Sequence, residues 1–210
     1  MDIIENLQWR YAVKKFDSEQ ILPKDKIKKL KEAFNLTATS YGLQPIKMVI
    51  LKDKELQQKL VAPSYGQQQV AQASHVLVIC IENTIDEAFI ANHFKRVKHV
   101  RGTSDEILNP FKDSLVKDFS KKSIDKIQNW ATNQAYLALG NLLTICAAEK
   151  IDACPMEGFV PVAYDELLGL DKEGLTSVLV LPVGYRASDD VFSGFKKVRR
   201  NLGESIIEIP

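Results

Sequence analysis

The spacing of apolar residues along the chain predicts a mixture of helices and short buried strands. Runs rich in Val, Ile and Leu, which have the length and composition of buried strands, occur at Ile46 to Leu51, His75 to Ile81 and Leu175 to Val183. Helical spacing is found around Ile85 to His99 and Asp105 to Phe119. This pattern predicts a chain that combines helices with a few buried strands.

The longest helical pattern follows Ser123, a residue type that commonly caps helices, and continues to Ala148. Ile124 and Ile127 lie on one predicted face, and the second half is apolar nearly all round. We therefore expect this segment to be the central core helix. Gly140 lowers helix propensity within it and predicts close contact with another backbone or a ligand.

The N-terminal region predicts two shorter helices and a loop. Asp2 can cap a first helix, and Ile3, Ile4 and Leu7 share one of its faces. Pro23 opens a second helix. The small polar residues of Thr37 to Pro45 then predict a loop, because Gly and Pro interrupt the helical spacing.

Nothing in the sequence divides the chain, which contains no internal repeat, low-complexity tract or linker. We therefore predict one domain over residues 1–210, with a helical excursion at 85–119 that covers a pocket and a C-terminal arm at 184–210. The arm ends in the β-prone run SIIEI. That run can dock on a partner or fray, and sequence physics favours neither alternative.

Composition excludes several functional classes. The 210 residues include 28 Lys and Arg against 27 Asp and Glu, a balance that argues against a nucleic-acid binder. The N-terminus lacks the basic and apolar regions of a signal peptide, and polar residues interrupt the longest apolar stretch, so neither export nor a membrane span is expected. Cys80, Cys146 and Cys154 lie in apolar surroundings, which is typical of free thiols in a reducing cytoplasm.

Common catalytic and binding motifs are missing from the sequence. The chain contains neither G-x-G-x-x-G nor the P-loop pattern, and G-x-S-x-G is absent. The His and Cys residues have no paired ligand spacing, so no metal site is expected. Any redox chemistry would therefore depend on a bound cofactor.

Two cationic clusters stand out in this nearly neutral chain. They are RYAVKKF at Arg10 to Phe16 and FKKVRRNL at Phe195 to Leu202. Arg and Lys together are typical of sites that hold a phosphate or a carboxylate. With the hydroxyls and amides of Thr37 to Gln44 and of GQQQ at Gly66 to Gln69, they suit a planar, phosphorylated cofactor.

Several short motifs, in their order and spacing, resemble the FMN-dependent nitroreductase family, of the oxygen-insensitive NAD(P)H nitroreductase and dihydropteridine reductase type. The resemblance extends from MDII at the start to the last basic cluster. The motifs that carry it are R-x-x-x-K-x-F at Arg10 to Phe16, the loop Ser40 to Pro45, A-S-H-V at Ala73 to Val76, Q-x-Y-L-x-x-G-N at Gln134 to Asn141, P-x-E-G-F at Pro155 to Phe159, and K-x-R at Lys197 to Arg199.

The resemblance implies an α+β fold with a central, mostly antiparallel sheet flanked by helices and a long core helix. It also implies a homodimer that exchanges its C-terminal arms and needs neither nucleic acid nor a membrane. It further implies an enzyme that uses NADH or NADPH to reduce nitroaromatics, quinones or related small-molecule acceptors by a ping-pong mechanism. The alternative is a flavin-binding carrier or sensor without turnover.

The resemblance also assigns the FMN site. Lys14 lies at the N1/O2 edge of the ring, where negative charge develops on reduction, and Glu157 and Gly158 lie near N5. A loop with Ala38, Thr39, Ser40 and Gly42 comes from the other subunit. The full set of implied cofactor contacts is Arg10, Tyr11, Ala12, Lys14, Ala38, Thr39, Ser40, Gly42, Gln67, Gln69, Met156, Glu157, Gly158, Lys197 and Arg199.

The sequence departs from the family pattern at several of these positions. Tyr11 and Ala12 stand where the best-known members have His and Ser, so a side-chain hydroxyl bond to phosphate is lost. Ala38 and Gly42 replace a Pro and an Asn, and Gly66 and Gln69 replace an Asn and a Lys. FMN binding is still expected, while the family's substrate preferences do not transfer.

Overall fold

The computed structural model describes residues 2–209; Met1 and Pro210, the ends of the predicted 1–210 domain, lie outside the described residues. Four strands form one antiparallel sheet in the order β1-β2-β4-β3. Their bounds are β1 Ile46–Leu51, β2 His75–Glu82, β3 Asp152–Ala153 and β4 Leu175–Gly184. The three strands predicted from apolar runs are confirmed, and β3 was not predicted.

Helices surround this sheet and account for most of the remaining regular structure. Their bounds are α1 Ile3–Trp9, α2 Lys24–Asn35, α3 Lys54–Lys59, α4 Gln69–Gln72, α5 Glu87–Arg101, α6 Asp105–Phe119, α7 Ile124–Ala148, α8 Pro161–Leu168 and α9 Leu202–Ser205. The predicted helical excursion is therefore α5 and α6. The architecture is α+β, as predicted.

Both faces of the sheet are buried, and the alternation of side chains along β2 assigns each face to its own core. Leu77, Ile79 and Ile81 pack into the core that contains α2, α5, α6 and α7. The intervening side chains of β2 pack into a second core beneath α8 and the segment 153–159. Because successive strand residues point to opposite faces, a fully apolar strand requires this two-sided cover.

The longest helix is α7, and it crosses the first core as predicted. Ser123 caps it, accepting a hydrogen bond from the Lys126 backbone N–H at 3.4 Å. Ile124 shares a face with Ile127, which packs against the first core, but Ile124 itself is 70% exposed. Helical spacing identifies an apolar face, but it cannot tell how far the covering elements extend along that face.

Some apolar residues of the N- and C-terminal segments remain exposed. Ile3, Ile4 and Leu7 share a face of α1 as predicted, but their exposed fractions are 45%, 54% and 37%. No described atom outside α7 lies within 4 Å of an added Cβ at Gly140, so the close contact predicted there is not made within residues 2–209. After α9, residues 206–209 have no regular secondary structure.

Candidate functional site

A cleft between the end of α1 and the C-terminal segment brings the two cationic clusters together. This cationic cleft has a volume of about 410 Å3 and is lined by residues 8–12 and 14 on one side and 192, 193 and 195–199 on the other. Lys197 Nζ donates a hydrogen bond to the Arg10 carbonyl oxygen across the cleft. The structure thus joins Arg10, Lys14, Lys197 and Arg199, which are up to 189 positions apart in the sequence.

The lining of the cationic cleft carries positive charge without a compensating acid. It contains Arg10, Lys14, Lys196, Lys197 and Arg199 but no Asp or Glu. Within the described part of the chain, none of the five forms an ion pair. Unpaired cations in one cleft repel each other, so an anion bound among them would relieve that repulsion.

This repulsion also affects the protonation of two of the cations. Burial and the neighbouring Arg199 lower the pKa of Arg10 below its ordinary value. The pKa of Lys197 is lowered by burial and by the charges of Arg10 and Arg199. Both effects favour binding of a phosphate or carboxylate, because an anion would stabilise the charged form of each side chain.

The N-terminal wall of the cleft is attached to the sheet by backbone contacts. Arg10 N–H ends α1 by donating to the Asn6 carbonyl at 3.1 Å, and the chain then leaves the helix. Ala12 forms a bridge with Ala153, and Val13 N–H donates to the Ala153 carbonyl at 3.3 Å. The short strand β3 therefore determines where this irregular segment lies.

Two charged residues that sequence reasoning missed support the same wall. The Arg186 guanidinium lies 4.4 Å from the Trp9 ring centroid and 4.5 Å from that of Tyr11, and its Nε donates to Asp152 Oδ1 at 2.8 Å. Asp190 accepts a hydrogen bond from the Tyr11 hydroxyl at 2.9 Å. Neither Arg186 nor Asp190 belongs to a local motif, so the sequence contains no signal for these contacts.

A second group of predicted site residues surrounds the turn at Glu157 and Gly158. Gln67 Nε2 donates to the Gly158 carbonyl at 2.8 Å, and the Tyr136 hydroxyl donates to Glu157 Oε1 at 2.5 Å. A Cβ added at Gly158 would lie 3.1 Å from Gln67 Nε2. Within residues 2–209 the Gly158 N–H has no hydrogen-bond acceptor, which leaves a backbone donor available at this turn.

One extended segment connects this turn with the cationic cleft. Ala153 contacts Ala12 at the cleft, and Met156 exchanges backbone hydrogen bonds of 2.8 and 3.1 Å with Val180 of β4. Gly158 is five positions after Ala153, a span of up to about 16 Å in extended chain. An elongated ligand with its anionic group in the cleft could therefore contact both places.

The loop with Ala38, Thr39, Ser40 and Gly42 does not line the cationic cleft of its own chain. Ser40 N–H donates to Gln134 Oε1 of α7 at 2.8 Å, and Thr39 Oγ1 accepts from the Gln44 N–H at 3.0 Å. Thr39 and Gln44 instead line a separate groove of about 360 Å3 with His93 and Arg96 of α5. The helical excursion thus packs on this loop and not over the cleft.

The remaining predicted contacts, Gln69 and Met156, are largely buried. Gln69 begins α4 and is 7% exposed, and Met156 is 4% exposed in the second core. Either residue can reach a ligand only through the small exposed part of its surface. Met156 belongs to the segment that joins the cationic cleft to Gly158.

The described residues offer neither a metal site nor a membrane-spanning helix. No group of three or more His, Cys, Asp or Glu side chains within residues 2–209 has the arrangement needed to hold a metal ion. No helix in that range is both long and apolar enough to span a membrane.

Comparison with known proteins identifies the family. The model of the nitroreductase family matches residues 7–185, so the chain belongs to the nitroreductase family. A Staphylococcus epidermidis protein, provisionally named an NAD(P)H nitroreductase, is 32% identical over 212 residues, which are 97% of this chain and 95% of that protein. The oxygen-insensitive NAD(P)H nitroreductase of Salmonella typhimurium is 27% identical over 221 residues, with both chains covered completely.

A solved structure confirms the fold independently. A nitroreductase-like protein of Exiguobacterium sibiricum, solved in complex with FMN, superposes with a TM-score of 0.83. The match covers 100% of this chain and 98% of that one, at 17% sequence identity. The nitroreductase fold expected from the sequence resemblance is therefore confirmed.

Proposed function

We propose that this chain is an FMN-dependent oxidoreductase that takes hydride from NADH or NADPH and reduces nitroaromatics, quinones or related small acceptors by a ping-pong mechanism. The observation that carries the proposal is the cationic cleft, which contains five cations and no acid. Relatives named as NAD(P)H nitroreductases and a structural neighbour solved with FMN support the same cofactors.

The two ends of the site suit the two ends of FMN. Arg10, Lys197 and Arg199 would bind the phosphate, because guanidinium and ammonium groups supply charge and several donors. The cofactor would extend from the cleft along the segment Ala153 to Gly158, so that its ring lies at the turn. The unpaired Gly158 N–H would donate to the ring near N5, with Glu157 beside it.

Lys14 would act differently from the other cations. It shares the cleft lining with them, but on the family resemblance its ammonium group lies at the N1/O2 edge of the ring. When bound, FMN supplies the hydride chemistry, which needs no acid or base from the protein. A fixed positive charge at that edge stabilises the negative charge that develops there on reduction, so Lys14 would favour hydride transfer.

The complete site would require two copies of the chain, because the loop at 38–42 is placed away from its own cleft. Exposed apolar side chains offer a surface for the second copy: Tyr136 and Leu137 on α7 are 44% and 54% exposed, beside the open surface at Gly140. Large exposed apolar areas commonly mark interfaces. The arm at 184–210 would exchange between the copies of this single-domain protein.

The free thiols support a reducing location. Cys80, Cys146 and Cys154 are all buried and unpaired by disulfides. Burial raises the pKa of Cys80 and of Cys146 to about 12, so both thiols stay protonated and unreactive near neutral pH. We therefore place the enzyme in the cytoplasm.

Anaerobic stopped-flow of the protein reconstituted with FMN tests the proposal. We expect a bound flavin spectrum that NADH or NADPH bleaches rapidly and that menadione or a nitroaromatic restores. Bound FMN that neither nicotinamide bleaches would instead support a carrier or sensor. A protein that binds no FMN would contradict both functions.

A further inference from the structure

Asp190 joins the two walls of the cationic cleft through a single buried carboxylate. Its Oδ2 accepts hydrogen bonds from the Tyr11 hydroxyl at 2.9 Å, the Lys14 N–H at 3.0 Å and the Lys15 N–H at 3.3 Å. Its Oδ1 accepts from the Phe192 N–H at 3.1 Å, at the first turn of the C-terminal wall. The two oxygens thus serve opposite sides of one cleft.

This carboxylate is charged and buried but has no cationic partner within residues 2–209. Asp190 is 3% exposed, and all four of its donors are neutral N–H or O–H groups. Burial alone would raise the pKa of its carboxyl, but the hydrogen bonds from the Lys14 N–H, the Tyr11 hydroxyl and two other backbone groups outweigh this and lower the pKa. The four hydrogen bonds therefore stabilise the charged carboxylate, and the carboxylate in turn fixes the positions of the four donor groups.

The walls that Asp190 joins have little regular structure of their own. Residues 10–16 form no helix or strand but are held by a bridge from Ala12 to Ala153, a bridge from Phe16 to Arg186 and a hydrogen bond of 2.9 Å from the Ala187 N–H to the Lys15 carbonyl; residues 195–201 contain no helix or strand. These contacts attach the N-terminal wall to β3 and to the chain after β4, and the bonds from the Lys14 and Lys15 N–H groups to Asp190 add its attachment to the C-terminal wall. The adjacent bond to Phe192 fixes where the chain turns towards Lys197 and Arg199.

The same contact gives Tyr11 a role that differs from cofactor binding. Its hydroxyl is committed to Asp190, and burial followed by this hydrogen bond raises the pKa of Tyr11, so the hydroxyl remains a donor. Its ring lies against the Arg186 guanidinium. Tyr11 is one of the positions at which this sequence departs from the family pattern, and the structure places it in the cleft lining with its hydroxyl bonded to Asp190.

We infer that Asp190 is a positioning residue for the phosphate end of the cofactor site: with Tyr11 as its partner, it holds the two cationic walls at the separation that binds a phosphate. The inference rests on the proposed FMN function. Asp190 does not line the cleft, so it acts through the backbone of Lys14 and Lys15 and through the turn at Phe192.

Comparison of FMN with riboflavin, which lacks the phosphate, separates positioning from general stability. In Asp190→Asn, only one of the two carboxylate oxygens is replaced by an acceptor. The other is replaced by an NH2 group, which cannot accept the hydrogen bonds of the neighbouring donors. We expect the Kd of FMN to rise by about tenfold or more, as for a lost hydrogen bond to a charged group, while the Kd of riboflavin changes by less than about threefold. Fluorescence titration measures both constants.

Two further variants keep the test decisive. Tyr11→Phe removes one hydrogen bond and should weaken FMN by about threefold to tenfold, again with little change for riboflavin. Asp189→Asn is the matched control, because Asp189 is the adjacent carboxylate but is exposed and pairs with Lys15 at the surface. It should leave both constants unchanged.

The outcomes are distinct. Equal loss of FMN and riboflavin affinity in Asp190→Asn, or no loss of either, overturns the positioning role while wild-type FMN binding stands. If Asp190→Asn does not fold, the FMN to riboflavin ratio of Tyr11→Phe decides, and an unchanged ratio overturns the inference. A wild-type protein that binds no FMN overturns the proposed function and this inference together.

Discussion

The two ends of the proposed cofactor site are built in different ways. The cationic cleft is made from irregular segments near the two chain ends, joined by the carboxylate of Asp190. The turn at Glu157 and Gly158 follows Met156, which is bonded to the central strand β4, and it contacts α7 through Tyr136. The cationic cleft therefore has many charges but little regular secondary structure around them. The turn is supported by β4 and α7 and presents a backbone N–H.

This difference separates affinity from reactivity. Charge-assisted hydrogen bonds to a phosphate contribute strongly to binding but lie far from the reacting ring. Groups near the ring contribute less to affinity and more to the stability of charge that develops during reaction. Substitutions at the two ends should therefore have separable effects, and the following predictions test that separation in decreasing order of effect.

The largest effect is expected for the double variant Arg10→Ala and Arg199→Ala. Each hydrogen-bonded charge contributes about 1.5–3 kcal/mol, so losing two should weaken FMN binding at least about hundredfold. Fluorescence titration measures the change. Arg200→Ala is the matched control, since Arg200 is adjacent in sequence but does not line the cleft. Retention of FMN by the double variant would contradict the site assignment.

A smaller effect is expected for Lys14→Met, and it should appear in the rate of flavin reduction and not in FMN affinity. FMN should remain bound within about tenfold of the wild-type Kd, while the rate of flavin reduction by NADH or NADPH falls by about tenfold to hundredfold, because the charge that stabilises the reduced ring is lost. Stopped-flow absorbance measures the rate of flavin reduction, and a redox titration should show a lower reduction potential of the bound flavin. Lys15→Met serves as control, since the Lys15 side chain points to Asp189 at the surface. Loss of FMN with an unchanged rate in the remaining holoprotein would show that Lys14 serves affinity and not reactivity.

The smallest effect is expected for Gly158→Ala. The added Cβ would lie 3.1 Å from Gln67 Nε2, which must shift slightly and so weaken its bond to the Gly158 carbonyl. We expect about a threefold to tenfold slower flavin reduction with nearly unchanged FMN affinity, as for loss of one neutral hydrogen bond. The control is the double variant Gly158→Ala with Gln67→Ser, in which the shorter side chain removes the collision. If flavin reduction in the double variant is as slow as in Gly158→Ala, collision with Gln67 is excluded as the cause.

Sequence reasoning succeeded where one local pattern dominates. The strands β1, β2 and β4 were predicted because uninterrupted Val and Ile runs suit strands covered on both faces, and α7 because its apolar residues continue over many turns. The cleft residues Arg10, Lys14, Lys197 and Arg199 were also chosen from the sequence, as clusters of charge in a neutral chain. Their placement in one cleft required the fold.

Sequence reasoning failed where contact partners are far apart. Asp190 bonds Tyr11 across 179 positions and Lys14 across 176, and no periodicity encodes such pairs. Ile124 illustrates a second limit, because its helical face was predicted correctly but the neighbouring elements do not extend far enough to bury it.

The amino-acid sequence by itself determined the class of fold, the principal strands, the core helix and the two concentrations of positive charge. These follow from local propensity, apolar periodicity and composition, which act over a few residues. Only the tertiary structure decided that the two charge clusters share one acid-free cleft, that Asp190 joins its walls, and that the loop at 38–42 lies elsewhere. Such arrangements depend on the closure of long chain segments, and a hydrogen bond between distant residues has no local signature.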